Sequence, residues 1–585
     1  MLPRRMALMF ACLLFSNPCT AEPVQQHSAP GRLTGTSFGI PGVNATYDYV
    51  IIGAGVAGSA LANRLAEDPD VSVAVVEAGG FYELSNGNIS QIPFYARDFV
   101  GDDGGDWTER NWQPLIDWGI VTQPEPGLDG RRMHQASGKC LGGSSARNTL
   151  IYHRGTVGAY ARWAELVGDD SYLYENMQPY FEKSVHFSTS NLDKRVANAS
   201  VTFNPDSYSP SGGPLQVSYP SYAGPFSTYG ASAFEHIGIR PITDHNSGSL
   251  LGYTYGTMTQ STDGVRSSAE SSFLAEAFEK STLKAYIYTQ ATSILFDSEK
   301  KATGVRVSTQ GLPYTLNAQK EVILSAGAIF SPHLLMLSGI GPAATLQQHD
   351  IEVISDLPGN SINAGMVTHE VSLPVPDMND PAHVTEYLTS GAGPLSNSNA
   401  DFFGFEKLPD STRSALPPRT LAALSAFPAD WPEVEYLLTS SPRRAAPSGK
   451  AVASIAVALT AALSRGNADR HVAVAAVKRA REAWRGVSEG VRGEEVFPGR
   501  GVTTDEGLWE GIRERAGPVH HVAATCKMGR PGDPMAVVDS KARVFGVEGL
   551  RVVDASSFVF TPPGHTQGYT YAHAEKLADD IKNGV

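Results

Sequence analysis

The sequence predicts an α/β protein built on a Rossmann-like βαβ unit near its N-terminal end, and three observations carry that expectation. The first is a short run, Tyr47-Asp48-Tyr49-Val50-Ile51-Ile52, rich in β-branched and aromatic residues, as a buried strand requires. The second is the glycine turn Gly53-Ala54-Gly55-Val56-Ala57-Gly58, followed by apolar residues at helical spacing through Leu61 and Leu65. The third is another apolar run, Val71 to Val76, which ends on Glu77. Strand, turn, helix and strand within about thirty residues make one βαβ unit.

Each part of that unit has a chemical reason. Gly53 permits the tight turn, Gly55 lets the backbone approach a pyrophosphate, and Gly58 lets helix and strand pack closely. The helix N-terminus then faces the phosphates. Glu77 stands 19 residues beyond Gly58. A carboxylate there accepts hydrogen bonds from ribose hydroxyls and repels a 2′-phosphate. The unit points to a dinucleotide and, taken alone, leaves FAD and NAD open.

The remaining chain is long enough for a second lobe, since 585 residues exceed one compact core. Hydrophobic residues at 42% and charged residues at 18% fit a well-buried globular protein. The net charge of -14 leaves no basic face for phosphates and argues against a nucleic-acid partner. Arg4 and Arg5 precede an apolar run from Met6 to Phe15, with Pro18 and the small residues Cys19-Thr20-Ala21 behind it. That layout predicts a signal peptide over residues 1–21 and a place in the secretory route: outside the cell, in the wall, or in a vesicle or vacuole lumen. The run is too short to span a bilayer, and so is Ala451 to Leu463. The Ser/Gly/Pro-rich stretch 22–45 reads as a mobile arm. With Cys12 and Cys19 in the leader, Cys140 and Cys526 are expected as free, buried thiols. Sequons at Asn44, Asn88 and Asn198 are compatible with glycosylation.

Strands are expected over Leu283–Phe296, Ala302–Val307, Glu321–Leu324 and Leu550–Val553, the last closing on Asp554. Helices are expected over Ser331–Leu337 and Ala468–Val487. The segment from Pro409 to Gly449, rich in Pro, Ala and Ser, shows no clear period.

Beyond the first glycine turn, two regions carry chemistry. Gly138-Lys139-Cys140-Leu141-Gly142-Gly143-Ser144-Ser145-Ala146-Arg147-Asn148 can turn several backbone N–H groups toward an anion or a polar ring edge. His521 follows His520, and His565 sits in Pro562-Pro563-Gly564-His565-Thr566-Gln567. In extended chain His520 and His521 point opposite ways, so they are not expected to share one site. No metal-ligand spacing occurs, and no G-x-S-x-G elbow supports a hydrolase.

From Tyr47 to nearly the C-terminus, the chain resembles the glucose–methanol–choline (GMC) oxidoreductases. Four separated elements carry the resemblance: the glycine turn with Glu77, Gly138 to Asn148, Gly327 to Gly341, and His521 through His565. The segments Tyr82 to Arg154 and Pro562 to Gln567 are most similar to fungal members that act in secondary-metabolite pathways. The resemblance implies FAD rather than NAD. It implies a discontinuous FAD-binding domain over residues 46–184, 250–345 and 520–585, and a substrate domain with an antiparallel sheet over 185–249 and 346–519. It places Glu77 at the adenosine ribose, and Gly143, Ser144 and Asn148 near the flavin. Ala291 would meet the adenine, Asp554 and Ala555 the pyrophosphate and ribityl chain, and Gln567 the flavin's pyrimidine edge. His521 would be the base and His565 its partner.

The implied activity is oxidation of an alcohol or lactol on a small aromatic or polyketide-like substrate, with dioxygen a candidate electron acceptor. The alternatives are a redox-neutral, FAD-containing cyclase or lyase, and an impaired paralogue. Two departures from the family stand out, and the second of them motivates the last. Leu357-Pro358-Gly359 leads to Asn363-Ala364-Gly365-Met366, without the family's acid and His. Leu463 to Asn467 also runs straight into Ala468, where relatives carry further strand and loop. Within that region, alanine content favours a helix over Ala451–Leu463 and family position favours a strand.

Overall fold

The structure is a computed structural model that describes residues 35–100, 112–189, 192–280, 282–349, 365–374, 376–378, 380–445, 448–461 and 468–585. The leader at 1–21, the arm up to residue 34, Leu357-Pro358-Gly359 with Asn363 and Ala364, and the junction Leu463–Asn467 lie outside the described residues.

The βαβ unit forms where the sequence places it, as β1 (Ala45–Ile52), α1 (Val56–Leu65) and β2 (Val73–Val76). β1 and β2 run parallel, with Tyr49 opposite Val73 and Ile52 opposite Val76. Their apolar residues run without alternation because helices and loops cover both faces of a parallel sheet. The sheet has seven strands. In spatial order Leu283–Tyr286, β2, β1, Leu312–Leu324, Ala302–Thr309 and Thr289–Phe296 lie side by side, and Leu550–Val552 pairs with Leu312–Leu324. The strands at 283–286, 73–76, 45–52, 312–324 and 550–552 pair in parallel, while 289–324 forms an antiparallel meander.

Leu283–Phe296 is therefore two strands and not the one expected. Tyr288 takes a left-handed φ of 52° and breaks the run. Its N–H donates to Gly79 O, and that of Thr289 to Glu77 O, so the break sits against the end of β2.

A second core lies under a five-stranded antiparallel sheet, in the order Phe402–Glu406, Val434–Ala445, Ala451–Leu459, Gly365–Val371 and Arg492–Phe497. The helix Ala468–Ala483 packs Val472, Ala476 and Ala480 into this core beside Ile455 and Trp484. Ala451–Leu459 is thus a strand. Alanine's helix preference amounts to only a few tenths of a kcal/mol per residue. Pairing on both edges, with Val434–Ala445 and Gly365–Val371, outweighs it. The patternless segment from Pro409 resolves into the helices Asp410–Arg413 and Pro418–Leu424 and the strand Val434–Ala445.

Tyr253 and Tyr255 belong to the second core and Leu251 bridges to Phe405, while Ala269 and Phe273 pack in the first. The arm is anchored from Gly35 onward. Phe38 packs against Phe81 and Phe278, and Gly39 N–H donates to Ala285 O at 3.0 Å. Cys140 and Cys526 are free and buried. No helix among the described residues is long and apolar enough to cross a membrane.

Candidate active site

A cavity of about 490 Å³ lies between the two sheets and the loops that join them. Its first end is the glycine turn. Gly53 has φ of +100°, and a Cβ there would meet Ser325 O at 2.3 Å. Gly58 does not line the cavity. A Cβ on it would lie 1.9 Å from Gly53 O, so it serves the close helix–strand packing expected of it. At Gly55 the nearest atom to a built Cβ is Gly143 Cα at 3.8 Å, which leaves a smooth opening onto the cavity. Gly143, at φ +53°, abuts Gly55 in turn, bringing the two glycine loops together.

Glu77 closes this end. Its Oε2 accepts from Ala54 N–H and its Oε1 from Gly79 N–H, both at 3.0 Å. Burial raises its pKa to about 7, against the pull of those backbone donors. Ala291 lines the same end from the meander.

The middle is braced by amides. Ser144 Oγ accepts from Gly138 N–H at 3.2 Å. Asn148 Nδ2 donates to Gln567 Oε1 at 2.8 Å, and Gln567 Nε2 donates to the carbonyls of Leu150 and Ile151. Arg266, buried and absent from the sequence expectation, donates to Asn148 Oδ1 and to the carbonyls of Ser90, Ser145 and Asn148. Asp554 spends its carboxylate on Gly327 N–H, Ser331 Oγ and Ser556 N–H. It thereby seats the start of the helix Gly327–Leu337 at the cavity wall, next to Ala555.

The histidines form the far end. The rings of His521 and His565 lie 5.0 Å apart at 72°. Burial, followed by the neighbouring imidazoles of His565, His520 and His153, holds the pKa of His521 well below 6.5. The backbone here is pinned: Ala524 N–H donates to Ala555 O and Cys526 N–H to Ser556 O. The expectation that His520 and His521 diverge is corrected. His520 has φ of +60° instead of an extended conformation, and both residues line the cavity. His520 Nδ1 accepts from Ala136 N–H at 3.2 Å.

Two further residues escaped the sequence reading. Glu435, buried on the second sheet, places Oε1 2.9 Å from His565 Nε2. His153 Nε2 accepts the backbone N–H of His565 at 2.7 Å. A lone acid in the apolar run Val434-Glu435-Tyr436-Leu437-Leu438 was the one local signal for Glu435. His153 had none.

The GMC oxidoreductase family model matches residues 47–370 and again 445–574. The chain belongs to the GMC oxidoreductase family. This GMC oxidoreductase is 44% identical to patulin synthase of Aspergillus clavatus, over 94% of each chain. It is 39% identical to the versicolorin B synthase of Emericella nidulans, over 96% of this chain and 94% of that one. Among solved structures, an FAD-dependent oxidoreductase from Chaetomium thermophilum superposes with a TM-score of 0.79 at 26% identity, covering 92% of this chain and 99% of that one. The alignment with the Aspergillus clavatus relative runs over 595 positions, more than the 585 residues present here. That relative therefore has stretches without a counterpart in this chain.

FAD is the cofactor of this GMC oxidoreductase. The residues fit it: an unobstructed glycine turn, a carboxylate at the end of β2, and an amide-braced middle share one cavity with the paired imidazoles.

Proposed function

We propose that the protein oxidises an alcohol or lactol of a small aromatic or polyketide-like metabolite. Bound FAD supplies the hydride acceptor. Glu77 holds the adenosine ribose, the backbone at Ala291 meets the adenine, and Asp554 and Ala555 meet the pyrophosphate and ribityl chain. Gly143, Ser144, Asn148 and Gln567 hold the flavin ring. His521 takes the hydroxyl proton, for which a neutral imidazole is required, and burial keeps it neutral. His565 holds the substrate oxygen. Glu435 accepts from His565 Nε2–H and so orients the ring in the cavity. Leu437, Ala456 and Met366, from three adjacent strands, give the cavity an apolar wall suited to an aromatic ring.

The observation that carries this reading is the His521–His565 pair at 5.0 Å in the same cavity as the glycine turn and Glu77. Patulin synthase and versicolorin B synthase as relatives support a place in fungal secondary metabolism. The leader pattern and the exposed sequons Asn44, Asn88 and Asn198 support a secretory route, checked by the N-terminal sequence and glycosidase shift of the secreted protein.

Anaerobic mixing with a panel of aromatic primary alcohols and lactols tests the chemistry. Bleaching of the flavin supports hydride transfer. Product formed without bleaching would replace this reading with a redox-neutral cyclase. His521→Ala should retain FAD and lose ~10²–10⁴ in turnover, and parent-like turnover would remove His521 from the role.

A further inference from the structure

His153 has no exposed surface and packs edge-on against three rings, those of Phe405, His565 and Tyr569. Both of its nitrogens are occupied. Nδ1 lies 2.9 Å from Arg154 O. A carbonyl oxygen only accepts, so Nδ1 carries the ring proton. Nε2 is then a bare lone pair, and it faces the backbone N–H of His565 at 2.7 Å. One neutral tautomer satisfies both contacts at once. The turn it grips is sharply shaped. Gly564 sits at φ +77°, and a Cβ there would lie 2.3 Å from His153 Nε2. The turn has room for the imidazole only because residue 564 has no side chain.

We propose that His153 is the positioning residue for His565. By accepting the His565 amide proton it fixes the Gly564–Thr566 turn. The His565 ring is thereby held between Glu435 Oε1, at 2.9 Å, and His521, at 5.0 Å between ring centres. The role in turnover rests on the reading of His565 as the partner of the substrate oxygen. The hold on the turn does not.

The test compares His153→Leu, His153→Gln and His153→Asn as FAD-loaded full-length proteins. Glutamine can place its carboxamide oxygen where Nε2 stands. Asparagine reaches only to the Nδ1 position, and leucine offers no acceptor. Amide hydrogen exchange is read on a peptide spanning Pro562–Gln567, where two prolines leave few amides to report. Exchange at His565 should accelerate on the order of 10- to 100-fold in the Leu and Asn variants and stay near the parent value in the Gln variant. Turnover per bound flavin, measured with whichever alcohol bleaches the parent flavin, should follow the same split, with kcat falling more than KM rises. A purely structural role would lower the melting temperature of all three variants without separating Gln from Asn at this one amide.

Parent-like exchange in the Asn variant, or equal exchange in Gln and Asn, overturns the proposal. If the Leu variant fails to fold, the Gln–Asn pair decides. His565→Ala separates the two readings. Full turnover in that variant, or no alcohol that bleaches the flavin, sinks the function while the exchange experiment still reports on the hold. Lost turnover in His565→Ala, with unchanged turnover and exchange in His153→Asn, sinks the role of His153 alone.

Discussion

The glycines of the first turn make opposite demands, and paired substitutions separate them. At Gly58, inside α1, alanine gains about 1 kcal/mol of helix propensity. Its methyl would sit 1.9 Å from Gly53 O and 3.1 Å from Ser325 Cβ. The obstacle is backbone, so α1 must move off β1, at a cost near the upper end of overpacking, about 3 kcal/mol. The net loss is about 2 kcal/mol. At Gly55 the backbone is extended, at φ −78° and ψ −162°, and a methyl meets only Gly143 Cα at 3.8 Å. There the loss of a favourable N-cap, roughly 0.5–1 kcal/mol, is offset by a similar gain from a stiffer unfolded chain. The apoprotein should keep its stability within ~0.5 kcal/mol. On the cofactor placement proposed above, the methyl then stands where the pyrophosphate comes. Losing even one charge-assisted hydrogen bond, worth ~1.5–3 kcal/mol, weakens FAD by about tenfold or more. Urea unfolding of the apoproteins and flavin titration of each variant measure both quantities. A Gly55→Ala protein that binds flavin like the parent, or a Gly58→Ala protein with an unchanged urea midpoint, would refute this reasoning.

Other consequences are open to direct measurement. Because burial holds the pKa of His521 well below 6.5, the neutral base persists down to that pH, and protonation removes it only further down. The acid limb of kcat/KM should therefore fall below pH 6.5, and a half-maximal point above it would count against His521. Glu435→Gln keeps the shape but weakens a charge-assisted bond to His565, so turnover should drop by ~10-fold, and by more in Glu435→Leu, where His565 Nε2–H loses its acceptor. Equal turnover in the parent and both variants would dismiss Glu435. Ala456 lies directly between Leu437 and Met366 on the cavity wall. Ala456→Phe should cut kcat/KM for a polycyclic alcohol by roughly 10-fold or more, as a filled pocket costs 1–3 kcal/mol, while sparing a short primary alcohol and FAD affinity. A uniform loss across substrate sizes would mean that Ala456 does not set the pocket's reach.

What could be read in the sequence was what is local. The turn at Gly53 to Gly58, with Glu77 at the end of β2, is one continuous stretch whose spacing is itself the geometry. His153 and Glu435 are legible only after folding. Their partner, His565, lies 412 residues from the first and 130 from the second, and nothing in either neighbourhood announces the meeting. The break at Tyr288 was hidden for a related reason. A left-handed tyrosine is forced by the contacts of Tyr288 and Thr289 with Gly79 and Glu77, in another part of the chain. The alanine-rich strand Ala451–Leu459 shows local preference yielding to pairing on both edges. The divergence expected of His520 and His521 failed because it assumed extended backbone where φ is +60°.

The cofactor cavity is assembled from pieces scattered along the whole chain, and this constrains how the protein comes into being. Asp554 lies 501 residues after Gly53, yet both border the same space, and the strand beside Asp554 completes the sheet that β1 begins. A nascent chain that has emerged only through Leu324 holds most of that sheet but lacks the wall beyond it. Such a chain can fold its first βαβ unit during synthesis and still has no closed compartment for a flavin. Loading must therefore wait until translation has passed Gln567. Contacts between distant segments also form slowly, since loop closure must precede them. A protein made this way takes up FAD only after nearly the whole chain is present, in whichever compartment then holds it.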